Sequence, residues 1–99
     1  MSSELVFLPE AREDISRACS WYEEQSLGLG LDFLRCVETA TCTIARNPLM
    51  YPEVYKAYRR ALVRRFPYAV FYEIEDGKIF VYSVFHCSRD PQKWRQRLG

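Results

Sequence analysis

The side chains best suited to chemistry in this sequence are arginines set among aromatic rings. Arg59, Arg60, Arg64 and Arg65 fall within seven positions, interleaved with Tyr55, Tyr58, Phe66 and Tyr68, and Arg89, Lys93, Arg95 and Arg97 follow near the end of the chain. Guanidinium groups beside aromatic faces suit phosphates and stacked bases. The same arginines can equally form a solvated strand face that pairs with acids elsewhere. His86 is the single histidine, followed closely by Arg89 and Asp90, and its side chain titrates near neutrality when unperturbed. Beside an arginine such as Arg89 or Arg65, it could move a proton while the cation stabilises charge developing on phosphorus. Its plainer role is to anchor a strand end by hydrogen bonds to Asp90 or a backbone carbonyl.

Other chemistries find less support. The chain has no glycine-rich phosphate loop, no serine or cysteine set beside an obvious base, and no acidic pair with metal-ligand spacing, so neither a cofactor nor a metal is expected. Cys19, Cys36, Cys42 and Cys87 contain no Cys-x-x-Cys pair, and reduced, mostly buried thiols are expected. The formal net charge of +1 conceals an asymmetry: residues 1–50 carry eight acids against four arginines, and residues 51–99 carry ten basic residues against five acids. Such a split can mark an anion-binding surface or complementarity between two layers of one fold.

At 99 residues the chain is expected to be one domain, residues 1–99, without room for separate cofactor and substrate domains. Its 48% hydrophobic and 15% aromatic content suits a packed core. No apolar run is long enough to cross a bilayer, and Met1-Ser2-Ser3-Glu4 lacks the start of a signal peptide. A soluble, cytoplasmic protein is the expectation.

The elements that must position the arginines and His86 follow from local signals. Leu5-Val6-Phe7-Leu8 reads as a buried strand ending at Pro9. Pro9 suits the first position of a helix, and Glu10, Glu13 and Asp14 place negative charge at its positive end. Ala11, Ile15, Ala18 and Tyr22 recur at helical spacing, so this helix runs to about Gln25 before Ser26-Leu27-Gly28 interrupts it. A second helix follows Gly30, with Phe33, Val37, Ala40 and Ile44 on one stripe, and stops at Asn47-Pro48, since Asn tolerates the left-handed conformation of a helix end and Pro cannot continue the helix. The short linker makes the two an antiparallel hairpin.

After a loop over Leu49–Val54, three strands are expected. Ala57–Arg65 alternates Tyr58, Arg60, Leu62 and Arg64 against Arg59, Ala61, Val63 and Arg65. Phe66–Glu75 and Lys78–Phe85 flank Asp76-Gly77, a two-residue type I′ turn signal. A regular ladder from that turn pairs Tyr72 with Val81, Phe71 with Tyr82, Val70 with Ser83, Ala69 with Val84 and Tyr68 with Phe85. Neither face is then polar, and the helical hairpin can cover only one. The other must be covered by the Pro91–Leu98 segment as a short helix, or by another chain. The fold class is α+β: an N-terminal strand, an antiparallel helical hairpin, then a three-stranded antiparallel sheet in two layers.

An ordered set of motifs across nearly the whole chain resembles the RelE/ParE family of toxins from type II toxin–antitoxin systems, the plasmid stabilisation family. It comprises Phe7-Leu8-Pro9-Glu10-Ala11, Trp21-Tyr22-Glu23, Gly28-Leu29-Gly30 with Phe33 and Val37-Glu38, Asn47-Pro48 and Tyr51-Pro52. In the sheet half it continues through Arg59-Arg60, Arg64-Arg65-Phe66-Pro67-Tyr68, Phe71-Tyr72, Val84-Phe85-His86, Arg89-Asp90-Pro91 and Trp94. The set is similar to the ParE-like end of the family. The resemblance implies a growth-inhibiting toxin that poisons DNA gyrase and is neutralised by a cognate antitoxin, through which it can oligomerise. The alternatives it implies are a RelE-like endonuclease cutting mRNA on the ribosome, and a non-toxic binding module on the same fold. The chain lacks the lysine-rich stretch and C-terminal tyrosine often used by RelE-like nucleases. A nuclease would therefore have to use Arg59, Arg60, Arg65, His86 and Arg89 as catalytic residues, and the binding surface implied draws on Arg64, Tyr68, Trp94, Arg95 and Arg97.

Overall fold

A computed structural model describes residues 4–88 together with Gln96 and Leu98. The order of elements is β1 (Glu4–Phe7), α1 (Pro9–Gln25), α2 (Leu29–Arg46), β2 (Glu53–Tyr55), β3 (Tyr58–Leu62), β4 (Tyr68–Glu75) and β5 (Lys78–His86). The two-layer α+β architecture is as expected, but the sheet has five strands rather than three, in the order β1-β5-β4-β3-β2. It is also mixed, because β1 lies parallel to β5.

Helix α1 begins at Pro9, whose missing N–H is no loss at a first turn, with Glu10 beside the positive end of the dipole. The turn into α2 requires a left-handed residue, and Gly28 supplies it at φ 87°. Glu23 caps this start from the other helix: its two carboxylate oxygens accept from the N–H groups of Gly28 and Gly30, both at 3.0 Å. Gly30 is required for a second reason, since a Cβ there would sit 2.7 Å from the Cys19 carbonyl oxygen, and the helices could not approach so closely. At the far end α2 stops at Asn47, as expected, with φ of −138° and ψ of 69° rather than the left-handed conformation that asparagine tolerates. Pro48 and the bond from the Asn47 N–H to the Thr43 carbonyl end the helix without that conformation.

The apolar stripes of both helices cover one face of the sheet. Ala11, Ala18, Phe33, Val37, Ala40 and Ile44 pack against Ala61, Val63, Val70, Tyr72, Ile79, Val81 and Val84. The strand expected over Ala57–Arg65 is shorter, because Arg64 and Arg65 lie in the connection to β4, with Arg65 at φ 72°. Within the expected loop, Glu53–Tyr55 is instead a short edge strand on β3.

The β4–β5 turn is as expected, with Asp76 and Gly77 both at positive φ, and the pairing is regular from Glu75–Lys78 to Tyr72–Val81. Beyond that the expected register fails by one residue. Phe71 pairs with Ser83, Val70 with Val84, Ala69 with Phe85 and Tyr68 with His86, leaving Tyr82 as the extra residue of a bulge. Val84 consequently joins the helix-facing core, and Phe85 packs on the opposite face. That opposite face is covered in part by Leu98, which is helical and buried against Ala69 and Phe71. The rest of the short helix expected over Pro91–Leu98, Gln96 apart, lies outside the described residues. The four cysteines are free, but Cys42 and Cys87 are exposed, so burial holds only in part and only for Cys19 and Cys36.

Candidate functional site

Strand alternation divides the arginine cluster. Arg59 pairs with Tyr72 and Arg60 with Phe71, so the two neighbours project to opposite faces of the sheet. On the helix side, the Arg59 guanidinium donates to the Tyr51 carbonyl at 2.5 Å and, more weakly, to that of Leu49 at 3.5 Å. The Tyr72 hydroxyl donates to the Pro48 carbonyl at 2.6 Å in the same loop. Burial pushes the Tyr72 phenol up to about 12, against a lowering by the Arg59 charge. Together Arg59 and Tyr72 brace residues 48–51, and the Arg59 charge is spent on backbone carbonyls.

Arg60 lies exposed on the other face, beside Leu62, which is 61% exposed. The same face carries Tyr58 and Tyr82, whose rings meet edge to face at 5.0 Å. Burial and the Glu73 carboxylate raise the pKa of both phenols, and the Tyr82 side chain is hydrogen-bonded to Glu73. With half-buried Tyr55 and Val54 alongside, this is a surface of rings with polar tips.

Arg64 and Arg65 are exposed on the β3–β4 connection. Arg65 reaches Asp32 at the start of α2 at 3.9 Å, and its guanidinium lies 5.7 Å from the centre of the Phe66 ring. Phe66 opens an aromatic cluster with Tyr22, Phe33 and Tyr68, in which centroid separations run from 4.8 to 6.1 Å. His86 closes it, with its ring 5.2 Å from that of Tyr68.

The bulge decides where His86 points. In the regular ladder it would face away from the helices; in the observed one it lines a shallow cleft of about 250 Å³ with Asp14, Arg17, Ala18, Trp21, Tyr68, Val84 and Phe85. Its Nδ1 accepts from the Ser88 N–H at 3.1 Å, so His86 is tied to the backbone at the strand end, while Asp90 lies outside the described residues. Trp21 is 49% exposed at the rim of the cleft. Four of the five residues a nuclease would use are described, and they are dispersed: Arg59 against the loop, Arg60 on the opposite face, Arg65 toward α2 and His86 in the α1 cleft. Arg89 lies outside the described residues, as do Trp94, Arg95 and Arg97 of the expected binding surface. Of the remaining binding residues, Arg64 is exposed on its turn and Tyr68 is buried at 6% exposure.

The family model for the ParE toxin of type II toxin–antitoxin systems, parDE, matches residues 5–91. The chain belongs to the ParE toxin family. It is accordingly a toxin of the type II toxin–antitoxin class. No curated protein sequence matches the chain at a significant level.

Solved structures similar to this ParE-family chain agree on the fold. The chromosomal ParDE toxin–antitoxin system from P. aeruginosa matches with a TM-score of 0.74 at 12% identity, over 86% of this chain and 96% of that one. The RelBE2 toxin–antitoxin complex from Mycobacterium tuberculosis matches at 0.61 and 21%, over 87% and 99%. An arginine double mutant of the E. coli toxin RelE, in the free state, matches at 0.60 and 14%, over 99% and 96%. At these identities the ParE fold is retained while most side chains differ, so the residues of any site must be argued from this chain's own geometry.

Two residues of this ParE-family chain gain roles that sequence reasoning missed. Glu23 sits in a motif that carried the resemblance, but its capping of α2 acts across a turn. Asp14 was read as helix-start charge, and instead it is buried at 8% exposure with its Oδ2 accepting from the Val84 N–H at 3.1 Å. A hydrogen bond across 70 residues of sequence leaves no local signal.

Proposed function

We propose that this toxin inhibits growth in the cytoplasm by binding DNA gyrase, without catalysis of its own, and that a cognate antitoxin neutralises it and can join it in a larger oligomer. The observation that carries the choice of target is the dispersal of Arg59, Arg60 and Arg65 among the described residues. Stabilising charge on a phosphodiester in flight requires cations aimed at one point, and here Arg59 and Arg65 are engaged by backbone carbonyls and Asp32 while Arg60 faces the other side. A poison that works by contact needs a surface instead. The face with Tyr55, Tyr58, Tyr82 and exposed Leu62 has the composition of one, since rings with polar tips provide contact area at small entropic cost. Support for the antitoxin comes from the family match and from neighbours solved as toxin–antitoxin systems.

The second reading is the ribosome-dependent ribonuclease. In its favour, His86 lies at the same end of the sheet as the turn carrying Arg64 and Arg65, where the Cys87 N–H bonds to the Pro67 carbonyl at 2.7 Å. Induction of the chain alone, with supercoiling, DNA breaks and translation followed in one culture, separates the two. Gyrase poisoning predicts arrest with DNA breaks that His86→Ala leaves intact. Early loss of translation with cut messages, abolished by His86→Ala in a folded protein, would transfer the assignment to the ribonuclease. Normal growth with soluble, folded protein would exclude both.

A further inference from the structure

The ladder between β4 and β5 leaves a tight turn with no slack, and its first pairs, Glu75–Lys78 through Tyr72–Val81, are regular. Continuing regularly would set Phe71 against Tyr82 and Val70 against Ser83. Slippage by one residue is normally forbidden because it turns polar side chains into the core. That safeguard is weak here: of the residues from Val81 to Phe85 only Ser83 is not apolar or aromatic, and both faces of the sheet bury apolar groups. Nor does Ser83 choose between the two registers: its hydroxyl is buried with no hydrogen-bond partner among the described residues, and the regular ladder would set it opposite buried Val70 on the helix-facing side.

What holds the bulge is therefore to be sought outside the sheet. The extra residue is Tyr82, and two positions on the Val84 N–H is met by the buried Asp14 carboxylate of α1 at 3.1 Å. We propose that Asp14 selects the register of β5 and through it positions His86. With the bulge in place, Val84 and His86 turn toward α1 and Phe85 turns away. Without it, alternation carries His86 to the face that holds Arg60 and brings Phe85 inward. Asp14 thus decides which of the two candidate surfaces contains the only histidine, whichever target the toxin has.

Nuclear magnetic resonance on the full chain tests this with Asp14→Asn, which keeps an oxygen acceptor, and Asp14→Leu, which does not. The Asn variant should retain the Val70–Val84 cross-strand contact and the His86–Tyr68 ring contact. The Leu variant should lose both and gain a Val70–Ser83 contact. A folded Leu variant with the Val70–Val84 contact at wild-type intensity would overturn the proposal. A chain lacking Tyr82 covers the case in which Asp14→Leu alone does not fold, because its ladder reaches the observed pairing without a bulge. There Asp14→Leu should fold, and where Asp14→Leu also folds with Tyr82 present it should lower the thermal midpoint by less than half as much in the shortened chain. Failure to fold there, or a drop of half or more, would show that Asp14 acts independently of register.

Discussion

The two faces of the sheet solve the same problem differently. On the helix side, burial comes from distant parts of the chain: Phe33 of α2 and Tyr22 of α1 meet Phe66 and Tyr68 in one ring cluster, and the two helices close to the limit set by Gly30. On the opposite side, Phe71 and Ala69 are buried under Leu98, while Tyr58, Tyr82, Arg60 and Leu62 retain contact with solvent. One face is committed to holding the fold and the other is partly available for use. A protein of this size can leave apolar surface exposed only if the remaining core is tight.

That contrast can be broken or sharpened by substitution, and the largest effect is expected on the helix side. Phe33→Ala removes a fully buried ring and should lower the unfolding free energy by about 3–5 kcal/mol, read by denaturant titration. A loss no greater than that of an exposed site would dissolve the distinction. Gly30→Ala should cost about 1–3 kcal/mol, since the new methyl group meets a backbone oxygen that cannot rotate away.

Tyr72→Phe probes the brace on residues 48–51 and should cost roughly 1 kcal/mol at neutral pH by leaving the Pro48 carbonyl without its donor. The variant also has a pH signature. The folded phenol keeps its proton to about 12 against 10.0 for the ordinary group, so the Tyr72 contribution to stability is fully present below pH 10 and falls as the pH rises toward 12, by on the order of 2 kcal/mol. Unfolding measured across that window should show a shallower decline in the Phe variant, with Tyr58 and Tyr82 supplying part of what remains. Smallest of all, Leu62→Ala should change stability by less than about 0.5 kcal/mol while weakening growth arrest. Wild-type arrest would remove this face from the target contact.

Much of this architecture was legible in the sequence because its signals are local. Pro9, the Gly28 turn, Asn47-Pro48 and Asp76-Gly77 each fix a boundary through the conformation of one or two residues, and all four boundaries lie where those residues stand. Alternation along Tyr58–Leu62 was also visible, and it already separates Arg59 from Arg60. What could not be read was whatever a distant partner decides. The parallel docking of β1, the three-residue edge strand β2, and the bulge that reverses Val84, Phe85 and His86 depend on contacts far apart in sequence. The spread of Arg59, Arg60 and Arg65 was hidden for the same reason: nearness along the chain is not convergence in space, and Arg65 lies beyond the strand at a turn with positive φ.

The pairing of β1 with β5 has a consequence for the making of the protein. Glu4–Phe7 is made before every other described element, yet its strand neighbour among the described residues is Lys78–Val81. Until β5 has been made this apolar segment has no described strand to pair with, and a separation of more than 70 residues must close before it gains one. Such long-range closure slows folding. A chain that stops before Lys78 therefore lacks β5, the strand that joins β1 to β4, and cannot complete the sheet or present its finished surface.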